Sequence, residues 1–251
     1  MRNKYFFIAI LLFALNNGYS QSSQDKEHFS LSIGPSFPIG DYANKDVSSK
    51  SSGIAKTGQV INIAYTRLLQ KQSGIAVTVH GQRNPVNTKT FENYLDNTGF
   101  PNWKMEKASW LFSSLLFGGY CQFPVAGSGG VLFTTKATIG AVYAKSPELN
   151  GASKSSTHSG LIEQTSVSAF GLSYLLNAGI NYHLNNKIFL LGEAEYFGTP
   201  KLKFKNVKST FRSATFTSNG FPISAQEQSS TTDGKQAISS INLNFGIGLR
   251  L

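Results

Sequence analysis

The segment from Ile241 to Leu251 alternates without a break: Ile241, Leu243, Phe245, Ile247, Leu249 and Leu251 share one parity, and Asn242, Asn244, Gly246, Gly248 and Arg250 the other. Successive side chains of a strand point to opposite faces, so this run predicts a strand with one apolar and one polar face. Seven more candidates precede it. Phe29, Leu31, Ile33 and Phe37 alternate with serines and Gly34, and Ile61, Ile63 and Tyr65 alternate with Asn62, Ala64 and Thr66. Ile75, Val77 and Val79 follow a four-residue link, which makes a hairpin. Ser109 to Phe123 is apolar on both parities, and its faces stay unassigned. Val131 to Tyr143 places Thr134, Lys136 and Thr138 opposite Val131, Phe133, Ala137 and Ile139. Phe170 to His183 alternates as cleanly as the last strand, and Ile188 to Tyr196 sets Glu193 and Glu195 against Leu190, Ala194 and Tyr196.

The connections between these strands alternate in length. Those near 70–73, 124–130 and 184–187 are short, whereas 41–57, 82–108, 144–165 and 198–237 are long. Short turns at one end and long loops at the other, with an even strand number, are the pattern of an outer-membrane barrel with its long loops outside. Backbone polar groups left unpaired in lipid are costly, so such a sheet must close on itself. The expected fold is therefore all-β: an eight-stranded antiparallel up-and-down transmembrane β-barrel. A soluble lipocalin-like barrel or sandwich would carry its polar parity outward and its apolar parity inward. Phe37, Tyr42, Tyr65, Tyr143, Tyr182 and Tyr196 lie near strand ends and suit two interfacial aromatic girdles.

The start of the chain agrees with that location. Arg2 and Lys4 precede an apolar run from Tyr5 to Leu15 and the small residues Gly18 and Ser20, the pattern of a secretory leader over residues 1–20, with the barrel occupying 21–251. The run is about half the roughly 20 apolar residues of a spanning helix. The chain has a single cysteine, Cys121, so no internal disulfide is available. The formal charge of +10 becomes +8 once Arg2 and Lys4 are removed. A basic exported protein can meet anionic headgroups or lipopolysaccharide phosphates; a merely solvated surface has the same composition.

Few residues point to chemistry. An eight-stranded barrel is only wide enough inside for side chains. Lys136, Glu193, Glu195 and Arg250 fall on the inward parity, where two acids and two bases can form a neutral network that either plugs the lumen or conducts. The last long loop carries Lys201, Lys203, Lys205, Lys208, Arg212 and Lys235 against Glu227 and Asp233, a possible anion-binding surface or a solubilising one. Lys201 to Lys205 alternates with Leu202 and Phe204, which reads as an extension of the seventh strand beyond the membrane. A hydrolase or acyltransferase of lipids would need a serine or histidine with an acid near the outer rim. His80, and His158 with Ser155, Ser156 and Glu163, are the nearest approach, and none is nominated as catalytic. His28, His80, His158 and His183 are dispersed and show no metal-ligand spacing, so no cofactor or metal is expected.

Three stretches carry a resemblance: Gly34 to Tyr42 (GPSFPIGDY), Leu115 to Tyr120 (LLFGGY) and Phe245 to Leu251 (FGIGLRL). They resemble the small outer-membrane β-barrel domain family of Gram-negative bacteria, the PorT-like or OmpA-transmembrane-like group. The resemblance implies an eight-stranded barrel in the cell outer membrane, in contact with lipid and lipopolysaccharide. It also implies insertion by the outer-membrane assembly machinery, which reads a terminal aromatic residue. Leu251 departs from that signal, while Phe245 and the terminal parity keep to it. The expected role is structural or surface-interacting, without catalysis and without nucleic acid. A surface adhesin or receptor acting through the long loops, and a narrow transport pore, are the alternatives; the surface ligand is unknown.

Overall fold

The computed structural model of the protein describes residues 26–49, 51–97, 101–125, 130–155, 157–217, 219 and 221–251; the expected leader and Ser156 lie outside the described residues. Among the described residues there are thirteen strands: β1 (Glu27–Pro38), β2 (Gly58–Leu68), β3 (Ser73–Pro85), β4 (Lys104–Met105), β5 (Ser109–Pro124), β6 (Val131–Lys145), β7 (Leu149–Lys154), β8 (His158–Gln164), β9 (Ser168–His183), β10 (Ile188–Gly198), β11 (Leu202–Phe216), β12 (Pro222–Gln236) and β13 (Ser239–Arg250). Eight of them close a barrel in the order β1-β13-β10-β9-β6-β5-β3-β2, every pairing antiparallel. These are the eight strands expected from the alternation.

Parity decides which way each side chain faces. The outside of the barrel carries Leu31, Ile33, Ile63, Leu115, Phe117, Ile139, Leu172, Leu176, Ile180, Leu243, Phe245 and Ile247, all exposed. In water so broad an apolar surface would associate, whereas in hydrocarbon it is the favourable solvent contact. The barrel strands run to between 11 and 16 residues, enough for the roughly 9–11 that a tilted strand needs to cross. The ambiguous segment resolves on β5: Trp110, Phe112, Ser114, Leu116, Tyr120 and Gln122 are buried inside, and Leu111, Leu115, Phe117 and Phe123 face out. Both parities are apolar there because the outer end of the lumen is itself greasy.

The three longest connections are built elements. From them β4, β7, β8, β11 and β12 form a second antiparallel sheet in the order β12-β11-β8-β7-β4. A helix, α1 (Thr88–Asp96), leads into β4, with Glu92 accepting the Met105 amide at 2.9 Å and Asp96 the Trp103 amide at 3.0 Å. The Lys201–Lys205 alternation does not lengthen the seventh barrel strand: β10 stops at Gly198, Pro200 offers no amide to the ladder, and β11 pairs with β8 and β12 instead. Two barrel ladders run one rung past their strands, through Thr199 N to Ile238 O and Ser146 N to Val167 O, each at 2.9 Å.

The main apolar core sits where the two sheets meet. Tyr42, Ile54, Val86, Trp110, Phe112, Val142, Leu149, Phe197, Leu202, Phe204 and Ile238 cluster there. Gly171 leaves room for the Leu202 side chain, whose end would have to shift if a Cβ stood there. Tyr42 therefore belongs to this lid rather than to a membrane girdle: its ring lies 6.0 Å from Trp110 and 5.8 Å from Phe112 and is fully buried. Tyr143, Tyr182, Tyr196 and Phe37 do stand on the outward parity, where Tyr143 rests 5.0 Å from Phe170 and Tyr196 5.9 Å from Tyr174.

The parity argument makes a direct prediction. Leu243→Arg puts a cation on the lipid face near the middle of β13 and should cost about 2–4 kcal/mol. Reversible denaturant unfolding of the protein in lipid vesicles measures it, and a cost near zero would contradict a lipid-facing exterior.

Candidate functional site

The lumen is layered. At its inner end Leu68, Ala76 and Tyr120 form a small apolar cluster, with the His28 ring 6.5 Å from Tyr120 and 5.7 Å from Phe189. Gly248 admits the Phe189 ring, since a Cβ at that position would overlap it. The lid closes the outer end. Between them lies a polar belt supplied by every barrel strand, because the inward parity is filled with serine, threonine, asparagine and glutamine.

Within this belt the Lys136 ammonium meets Glu193 at 2.7 Å, with side chains 5% and 6% exposed. Glu195 faces the same space and accepts from Asn62 Nδ2 at 2.8 and 3.0 Å and from Asn177 Nδ2 at 3.2 Å. From Asn62 a chain of contacts climbs towards the outer rim. Asn62 Oδ1 lies 2.8 Å from His80 Nδ1, His80 Nε2 lies 3.2 Å from Gln82 Oε1, Gln82 Nε2 donates to Asn84 Oδ1 at 2.7 Å, and Asn84 Nδ2 donates to Lys56 O at 3.0 Å. Ser240 donates to Gln82 at 3.1 Å from the far side. The His80 ring also stacks on Phe197 at 4.4 Å.

Three of the four expected lumen charges thus come together, and the fourth does not. Arg250 lies at the inner rim, where its Nη2 approaches His183 Nε2 at 3.0 Å. The physical reason is distance along β13: Glu193 is paired with Asn244 and Glu195 with Asn242, six and eight residues before Arg250. Asn242 and Asn244 are wholly buried, and neither side-chain amide has a hydrogen-bond partner among the described residues. The Thr78, Ser114, Thr138 and Ser173 hydroxyls also lack partners among the described residues, so the belt is chemically suited to ordered water. Asparagine on the polar parity was visible in the sequence; which asparagines hold Glu195 depends on stagger between strands distant in the chain, which local pattern does not encode.

Among the described residues neither His80 nor His158 is brought together with an acid at the outer rim. His80 points into the lumen and is fully buried, out of reach of a lipid headgroup. His158 stands on β8, its Nδ1 2.8 Å from Thr157 Oγ1, with Ser155 Oγ donating to its carbonyl at 3.3 Å. Glu163 is committed elsewhere, to Arg212. Among the described residues no three His, Cys, Asp or Glu side chains group as metal ligands.

The second sheet reorganises the basic loop. Arg212 is held across three strands, 3.3 Å from Glu163 on β8 and 3.1 Å from Glu227 on β12, so its charge is spent locally. Lys201, just before β11, and Lys203, Lys205 and Lys208 along its first part are exposed, just above the barrel. Lys203 stands directly opposite Lys235 of β12, a like-charged cross-strand pair. None of these five lysines has an ion-pair partner among the described residues. Left-handed Asn206, at φ 57°, marks the bulge that follows, and its amide is taken by Asp233 at 3.0 Å.

Removing one partner of the buried pair should be more damaging than removing both. Glu193→Gln leaves Lys136 uncompensated and is expected to cost about 3–5 kcal/mol, with the Lys136→Met, Glu193→Leu double variant recovering most of it. A double-mutant cycle in vesicle unfolding reads the coupling.

No protein-family model matches the chain, and no curated protein matches it. Solved structures align along most of its length. The attachment invasion locus protein Ail of Yersinia pestis is 14% identical, covering 90% of this chain and 99% of that one, with a TM-score of 0.43. A major outer membrane protein from Thermus thermophilus is 13% identical, covering 90% and 99%, with a TM-score of 0.44. OprG from Pseudomonas aeruginosa is 12% identical, covering 91% and 98%, with a TM-score of 0.40. The closed barrel of eight antiparallel strands and its apolar exterior are the features of a small outer-membrane β-barrel, and this chain has that fold.

Proposed function

We propose that the protein is a non-conducting outer-membrane barrel whose surface sheet engages anionic groups, the phosphates of lipopolysaccharide first among them. The observation that carries this is the row Lys201, Lys203, Lys205 and Lys208, with Lys235 across the ladder. These residues are exposed, lack ion-pair partners among the described residues and stand immediately above the barrel rim. Cations at the level of a negatively charged surface attract it at about 1 kcal/mol each, and the attraction fades within a Debye length. Arg212, tied between two acids, contributes little to this row. Against conduction stand the apolar lid, the inner Leu68–Tyr120 cluster and the Lys136–Glu193 bridge across the belt.

The test is charge reversal at Lys203, Lys205 and Lys208 together. Binding of the purified barrel to lipopolysaccharide-containing vesicles at low salt should fall at least about a hundredfold, taking 1 kcal/mol for each of the three cations lost. Heat-modifiable gel mobility serves as the folding control. Unchanged binding by a folded triple variant would reject the reading. In planar bilayers the native protein should show only rare, small openings; steady conductance would favour a pore.

A further inference from the structure

The chain of contacts from Glu195 to the outer rim has a direction, because which end of an amide side chain gives and which accepts is decided by its other partners. At the outer end Asn84 Nδ2 donates to the Lys56 and Ser36 carbonyls, at 3.0 and 3.3 Å, and a carbonyl can only accept. That leaves Asn84 Oδ1 to accept from Gln82 Nε2 at 2.7 Å, so Gln82 turns its Oε1 to His80 Nε2 at 3.2 Å. At the inner end Asn62 Nδ2 donates to both oxygens of Glu195, at 2.8 and 3.0 Å, so Asn62 turns its Oδ1 to His80 Nδ1 at 2.8 Å. Both ring nitrogens of His80 therefore face accepting oxygens. A neutral imidazole has one N–H and one bare nitrogen; only the imidazolium donates from both.

Charge leads to the same place. Among the described residues the belt holds Lys136 of β6 with Glu193 and Glu195 of β10, and Lys136 is bonded to Glu193. Glu195 is 2% exposed, and its hydrogen bonds come from neutral amides, which orient it without cancelling its charge. A buried carboxylate without a counter-charge is costly. Around His80 itself, Ser114 of β5 stands opposite, Ser240 of β13 donates to Gln82, and the Phe197 ring of β10 lies face to face at 4.4 Å and 15°, an arrangement that suits a cation. The Tyr42 and Tyr120 phenols belong to the lid and to the inner cluster.

We infer that His80 is a buried imidazolium, the second cation of the lumen in place of Arg250, and that its proton locks the polar belt to the lid. Burial opposes any charge. Here two accepted N–H bonds, the Phe197 face and Glu195 one amide away oppose burial. Placing the same proton on Glu195 would require Asn62 to turn over and surrender its bonds to the carboxylate, and imidazole is the stronger base of the two. Loss of the proton sets a nitrogen lone pair against an amide oxygen and leaves Glu195 uncompensated, so the brace from β10 to Lys56 opens at its middle. The device is a pH-sensitive latch, engaged at neutral pH and released in alkali. The lipopolysaccharide reading concerns the outer surface and neither supports nor requires it.

Nitrogen-15 spectra of the full-length protein, labelled at histidine and held in lipid nanodiscs at about pH 8, test the inference, because an ordinary histidine is neutral there. His80 is assigned by through-space contacts to the Phe197 ring and by the loss of its signals in His80→Gln. The expected result is two ring nitrogens that each show one-bond coupling to a proton, and Glu195→Gln should turn one of them bare. A bare nitrogen on His80 in the native protein would overturn the inference. Unfolding in vesicles supplies a second readout. Above about pH 7 the native state holds one proton more than the unfolded chain, so the unfolding constant should rise about tenfold per pH unit relative to that of Glu195→Gln, until His80 itself is titrated. The same pH dependence in the native protein and the variant would overturn the latch.

Discussion

The constraint on which this structure depends is that a backbone in hydrocarbon has no water to satisfy it. An N–H or C=O facing lipid without a partner costs several kcal/mol, so the edge strands β1 and β13 must find each other. They do so along nearly their whole length, from His28 opposite Arg250 to Pro38 opposite Ser240. Once the sheet closes, every barrel side chain has one of two addresses. Those facing out must be apolar to suit lipid; those facing in share a space too narrow for a channel. The polar belt around Glu195 and the apolar lid above it follow from that division.

The belt also explains how a lumen can hold charge without opening. Lys136 and Glu193 compensate one another at contact distance, and Glu195 is dispersed over the amides of Asn62 and Asn177. Amide side chains such as Asn62, Gln82 and Asn84 hold geometry firmly but are poor carriers of protons. Stacking of His80 on Phe197 fixes the boundary where the polar chain enters the greasy lid. The lumen is thus a cross-brace among strands far apart in sequence.

The barrel was legible because its period is two and its turns are short. Alternation on β9 and β13, and the pairing of long with short links, gave strand number and facing from local pattern. Less was visible in the loops. The first half of β11 shows the period in Leu202 and Phe204, but the bulge at Asn206 breaks its phase. On β12 nearly every residue is exposed, so burial imprints no alternation at all. The separation of Arg212 from the lysines likewise depends on Glu163 and Glu227 arriving from two other strands.

The joint between the two sheets has a further consequence. Barrel register is set by ladders that contain no residue of β4, β7, β8, β11 or β12, and the two sheets meet through side-chain packing around Trp110, Leu202 and Phe204. A one-residue slip in a barrel ladder would turn a whole strand inside out. Change along the upper storey moves no such partner. The face shown to the surroundings can therefore diversify by substitution or insertion while the foundation beneath it stays in phase.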